Sequence, residues 1–155
     1  MKQINILVID DESAYANRLM ETLKRKDILQ RIGKIVVDNS MLSDNCLENY
    51  DASIHNIKFD IVLIDYQLGC SYTGILVSAW MMLQLKVPRM TLTSGAYPGC
   101  KDYFDGYIIK DEITDIPDEV INRIISCVET FNNNSWMEKQ YEQLVDQYSR
   151  MISDQ

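Results

Sequence analysis

The sequence predicts a doubly wound α/β domain on a five-stranded parallel sheet, and three observations carry that prediction. Five short runs rich in Ile, Val and Leu are of strand length. Longer amphipathic stretches alternate with them. The short runs are almost continuously apolar rather than alternating, as strands covered by helices on both faces must be.

Taken in order, the first strand is "INILVI" (4–9), apolar except for Asn5, and it runs straight into Asp10, Asp11 and Glu12. A helix over about 12–26 follows, then "KIVVD" (34–38) and a second helix over about 43–55. The third strand, "DIVLID" (60–65), ends on Asp65 and leads to a helix over about 73–85. "RMTLT" (89–93) is the fourth strand. The stretch after it, "SGAYPGCKDYFDG", carries Gly95, Pro98, Gly99 and Gly106 and has room for no more than a shortened fourth helix. "GYIIK" (106–110) is the fifth strand. The next helix spans about 117–131, with Pro117 in its first turn and Thr114 or Asp115 as its cap. "FNNNSWM" breaks the pattern with turn-forming residues. Beyond it Met137, Tyr141, Leu144, Tyr148 and Met151 recur at spacings of four and three, widened by Val145 and Ile152, which predicts an extra C-terminal helix. The division is therefore a domain over 1–131 and a helical extension over 132–155. The stripe of that extension serves either its own domain or a homodimer.

Composition narrows the function. With 155 residues, 46% apolar and 25% charged, the chain has the balance of a soluble single domain with a real core. Fifteen basic against 23 acidic side chains give a net charge of −8. That argues against direct nucleic-acid binding, which needs a basic face. Cys46, Cys70, Cys100 and Cys127 are widely spaced, and the one histidine, His55, cannot complete a zinc set. Reduced thiols in a cytoplasmic protein are the expectation. No apolar run reaches membrane-spanning length and no signal peptide opens the chain, so no membrane contact is expected.

The candidate site lies at strand ends. In open parallel sheets, ligands bind beyond the carboxyl ends of the strands. Strand one ends in Asp10 and Asp11, strand three in Asp65, strand four in Thr93 and Ser94, and strand five in Lys110. If strands one and three are neighbours, three carboxylates converge and repel one another unless a cation joins them. A small hard-oxygen set of this kind suits Mg2+, which keeps several waters and commonly bridges to phosphoryl oxygens. Lys110 and Thr93 then offer a charge and a hydroxyl to such a group. Each residue alone has an ordinary reading, as a helix cap or a surface lysine. Their joint placement is what points to a site.

At this point the chain resembles the receiver domains of two-component response regulators. The resemblance rests on "VIDDE", "IVLIDYQL", "TLTS" and "YIIK" and spans roughly residues 1–130. It implies the flavodoxin-like receiver fold, with Asp65 as the phosphoacceptor and a magnesium ion held by Asp10, Asp11, Asp65 and the Gln67 carbonyl. It also implies that Thr93 and Lys110 contact the phosphoryl oxygens, and that Thr93 with Tyr107 forms the switch. The implied partners are a sensor histidine kinase or phosphotransfer protein and a downstream protein. The chain would then be no enzyme toward outside substrates; it would catalyse only its own phosphoryl transfer and dephosphorylation. It departs from the pattern at Asp111, which stands where a proline in a cis peptide is usual, and at Gly74, one residue further from Asp65 than is common. Two other readings compete. One is a receiver-like interaction module that works without phosphorylation. The other is a metal-dependent phosphohydrolase with Asp65 as nucleophile, which Gln67 disfavours because a second Asp usually stands there.

Overall fold

A computed structural model describes residues 2–42, 47, 49–68, 74–95, 103–131, 139 and 142–147. Its five strands are β1 (Ile4–Ile9), β2 (Ile32–Val37), β3 (Ile61–Asp65), β4 (Arg89–Thr93) and β5 (Gly106–Ile109). All pair in parallel, in the order β2-β1-β3-β4-β5. The order reverses at β1, so β1 and β3 are neighbours with Ile9 opposite Ile64. That register carries Asp10 and Asp65 out of the sheet side by side.

The doubly wound reading holds. On one face Ile4, Ile6, Val8, Ile61 and Leu63 pack against α1 (Ser13–Lys26), α3 (Glu112–Asp115) and α4 (Pro117–Thr130). On the other, Leu7, Ile9, Val62 and Ile64 meet α2 (Gly74–Leu85). Successive strand residues point to opposite faces, so both parities must be apolar, which is why the runs read as continuous. Asn5, the exception in β1, sits where the pairing with β2 slips between Ile4 and Ile6. Its Oδ1 accepts from Lys34 N, giving that β2 amide a partner at the slip, and its Nδ2 donates to Lys58 O on the opposite, β3 side.

Three expectations need correction. The second helix, over 43–55, does not form as one element among the described residues. Single 3-10 turns stand at Ser40–Leu42 and Ala52–His55 instead. Asp38 accepts from Ser40 N and Asp51 from Ser53 N, and such side-chain bonds compete with helical ones. Thr114 and Asp115 do not cap the last helix. They belong to α3, and Ile116 precedes Pro117 without a side-chain cap. Finally, β2 begins at Ile32 and ends at Val37. The shortened fourth helix falls mostly on residues outside the described set; 94–95 and 103–105 are not helical.

In the C-terminal extension, residues 142–147 are helical, and Leu144 and Val145 join the α2-side cluster. These two stripe residues therefore serve the chain's own domain, whereas Met137, Tyr141, Tyr148 and Met151 lie outside the described residues. So do Cys46, Cys70 and Cys100; burial pushes the partly covered Cys127 thiol up to about 12. No described helix is long and apolar enough to cross a membrane.

Candidate functional site

The carboxyl ends of β1, β3, β4 and β5 surround a cavity of about 430 Å³. Asp11, Glu12, Asp65, Gln67, Thr93 and Lys110 line it. Carboxylate oxygens of Asp10, Asp11 and Asp65 lie within 4.8 Å of one another. Asp10 is fully buried and Asp65 is 5% exposed, while Asp11 faces solvent. Lys110 Nζ enters from β5, 3.2 Å from Asp10 Oδ2, 3.6 Å from Asp65 Oδ2 and 3.4 Å from Glu12 Oε2.

Each acidic group is fixed by short-range bonds. Glu12 N–H donates to Asp10 Oδ1 (2.9 Å). Asp10 Oδ2 makes no hydrogen bond, so its approach to Lys110 is an ion pair without hydrogen-bond alignment. Gln67 N–H leans on Asp65 Oδ1 at 3.3 Å. Burial raises the Asp10 carboxyl above its usual range, against the Glu12 amide and Lys110. Burial, followed by the Asp10 charge, pushes Asp65 up to about 7. Burial opposes the charge on Lys110, but Asp10 and Asp65 outweigh it and its pKa rises. Among the described residues, the Lys110 ammonium pairs with three carboxylates at once, those of Asp10, Glu12 and Asp65, with Asp11 beside them.

That gathering of carboxylates, with the orphaned Asp10 Oδ2, is the environment a divalent cation fits. The donors are hard oxygens, and the cavity leaves room for the waters that Mg2+ retains. Asp10, Asp11 and Asp65 could hold it, with Gln67 beside them.

No family model matches the sequence, and no curated protein matches it. Solved structures do match. The response regulator domain of Thermotoga maritima CheB superposes with a TM-score of 0.64 at 16% identity, over 84% of this chain and 100% of that one. The signal receiver domain of the putative response regulator NarL from Mycobacterium tuberculosis gives 0.62 at 16% identity, with the same coverage of both chains. The response regulator TrrA from Thermotoga maritima, in complex with Mg(2+)-BeF, gives 0.55 at 20% identity over 78% and 98%. This chain has the receiver-domain fold.

Within the receiver fold, the departures noted in the sequence have local consequences. Every described peptide is trans, so Asp111 does not reproduce a cis loop. It adopts a helical conformation and starts α3, with Thr114 N and Asp115 N bonding its carbonyl. Lys110 still reaches the carboxylates, because its N–H donates to Thr93 O (2.8 Å) and ties the end of β5 to β4. Thr93 Oγ1 bonds the Gly95 backbone at 3.4 Å. Tyr107 lies 37% exposed on the edge strand, with the Arg123 guanidinium 6.0 Å from its ring centre.

Gly74 is required by close approach. A Cβ there would sit 2.6 Å from Asp65 O and 2.9 Å from Tyr66 Cα, both backbone atoms. Gly74→Ala must push α2 away from the Asp65–Tyr66 backbone. We expect a loss of about 1–3 kcal/mol of stability together with weakened metal binding. Thermal melting and Mg2+ titration check this, and wild-type values in both would contradict it.

Sequence reasoning missed two residues. Asn39 brackets the Asp10 peptide, accepting from Asp10 N (2.9 Å) and donating to Asp10 O (2.6 Å). It prolongs the β1–β2 ladder by one rung made of side chain, just after Asp38 N–H bonds Val8 O. Asp38 is itself held by Tyr50 (3.1 Å) and His55 (2.5 Å), a residue that showed no role in the sequence. Tyr15 lies under Lys110, its ring centre 4.5 Å from Nζ. An aromatic on the first turn after the acidic pair was the available signal.

Proposed function

We propose that this chain is a two-component receiver that accepts a phosphoryl group on Asp65 in a Mg2+-dependent reaction and thereby changes which partner it binds. One observation carries the reading. Carboxylates from β1 and β3 and the ammonium from β5 meet within 3.2–3.6 Å at the edge of one cavity.

The donor class is a phosphohistidine on a sensor kinase or phosphotransfer protein. The P–N bond breaks as an Asp65 carboxylate oxygen bonds to phosphorus, and the leaving imidazole takes its proton from water. Bound magnesium supplies charge neutralisation at the transferring oxygens. Asp10, Asp11, Asp65 and the Gln67 carbonyl are the proposed holders. Lys110 faces the new phosphoryl charge, and Thr93 offers it a hydroxyl once freed from the Gly95 backbone. Inward movement of Thr93 leaves space that Tyr107 fills, shifting an equilibrium at the β5 edge that a downstream protein reads. The working unit is 1–131, with 132–155 as its extension, in the cytoplasm.

The test is Mg2+-dependent uptake of beryllofluoride, followed by mass and by chemical-shift change. Asp11→Ala should lower Mg2+ affinity at least about tenfold while leaving the melting temperature of the metal-free protein unchanged or higher. A folded protein that takes up no adduct overturns the proposal and leaves the phosphorylation-independent module, which the helical Asp111 turn favours.

A further inference from the structure

We propose that Tyr15 is a positioning residue for Lys110: its ring face seats the ammonium over the site. This deepens the proposed function and rests on it. Among the described residues, four groups surround the Lys110 ammonium, namely Asp10, Glu12, Asp65 and the Tyr15 ring. Asp10 and Asp65 are the groups a metal ion or a new phosphoryl group engages, and Glu12 is largely exposed. The ring is the one neighbour that is neutral, buried and uncommitted to that chemistry. It is 6% exposed and locked into the core that joins α1 to α3 and α4.

Geometry gives the ring a reason to be there. Lys110 is followed by Asp111 in a helical turn, so no proline stiffens its backbone. Its long side chain lies only 15% exposed, and immobilising a lysine costs rotamer entropy. A π face at 4.5 Å attracts the cation and narrows its range of positions without competing for the carboxylate oxygens. The Tyr15 hydroxyl makes no hydrogen bond and is wholly buried. The hydroxyl therefore contributes nothing visible to the seat, and phenylalanine should serve as well as tyrosine.

Tyr15→Phe and Tyr15→Leu separate a seat from plain core filling, since leucine also fills the core but lacks a π face. Two readouts apply to each variant. The first is the Lys110 ε-methylene resonance in protein with labelled lysine, assigned by its loss in Lys110→Met, which the ring current should shift upfield. The second is the rate of phosphoryl uptake from acetyl phosphate with Mg2+. Tyr15→Phe is expected to keep both. Tyr15→Leu is expected to lose the upfield shift and to slow uptake about tenfold, with saturating Mg2+ present. An unshifted wild-type lysine, or a Tyr15→Leu protein with wild-type uptake, overturns the proposal. Equal slowing in Tyr15→Phe and Tyr15→Leu also overturns it, because the hydroxyl would then be what matters. If wild-type protein takes up no phosphoryl group, the proposed function fails, while the resonance shift still decides the seat.

Discussion

Asp65→Asn is expected to abolish the proposed Mg2+-dependent adduct and, in the same protein, to raise the stability of the metal-free fold at neutral pH. The first effect follows from chemistry, because an amide has no carboxylate oxygen to form the acyl phosphate. The second follows from the site. Asp65 is buried beside Asp10, and both carboxyls are pushed upward by burial. Asparagine keeps the shape and removes one of the repelling charges, while Lys110 retains Asp10 at 3.2 Å. A gain on the order of 1–2 kcal/mol is expected, discounted from the full shift because the cavity is open to water. Mass spectrometry after beryllofluoride or acetyl phosphate reads the first effect, and thermal melting in chelator reads the second. An adduct persisting in Asp65→Asn would move the acceptor elsewhere. A fall in melting temperature would show that the carboxylate cluster is not strained.

The metal-free protein loses stability as pH rises from about 4 to about 7. The folded carboxyl of Asp65 titrates near 7 and its unfolded counterpart near 3.8, so between those values the folded state holds the extra proton. Stability then falls with rising pH, and Asp10, also raised, acts in the same direction. Asp38 and Glu112 act oppositely. Burial works against Asp38, but bonds from Ser40, His55 and Tyr50 outweigh it and lower its pKa, while Arg123 lowers that of Glu112. Their contribution is present above the ordinary carboxylate range and is lost only in stronger acid. Full ionisation of Asp65 costs a few kcal/mol at most, since three units correspond to about 4 kcal/mol before solvent screening. Millimolar Mg2+ should flatten the slope, because a bound cation favours ionised carboxylates. Melting curves at about pH 5 and about pH 8, with chelator and with Mg2+, are the measurement. A melting temperature that climbs over this range in chelator would reverse the sign assigned to the cluster.

The strands were legible because burial on both faces leaves β1 and β3 almost wholly apolar, whereas their order entered the sequence reading only as the condition that the first and third strands be neighbours. The boundaries of α1 and α4 follow from amphipathic spacing and from Pro117. The second crossover was not legible. Met41, Leu47, Tyr50 and Ala52 are all buried, but Asp38 and Asp51 divert nearby amides and Asn56 ends the second turn in the left-handed region at φ 51°. The cap of α4 was missed because Asp111 coils the lysine loop into a helical turn that absorbs Thr114 and Asp115.

The acidic cluster could be read because its members stand at strand ends, where parallel pairing leaves little choice of position. The supports under it could not. Asn39 acts from the connection after β2 and Tyr15 from the first turn of α1, and neither contact follows from spacing until the topology is known. At the opposite end of β4 from the site, Arg89 was equally hidden in the sequence. It is 2% exposed and pairs with Asp105 at 3.0 Å, a buried cation inside what reads as an ordinary strand.

The missing side chain at Gly74 also has a mechanical meaning. The first turn of α2 rests directly on the main chain of Asp65 and Tyr66, so that helix has no slack against the strand end it covers. Under the proposed function, a protein that grips α2 and tilts it, even from the far end near Leu85, would tug on the Asp65 carboxyl without ever touching the pocket.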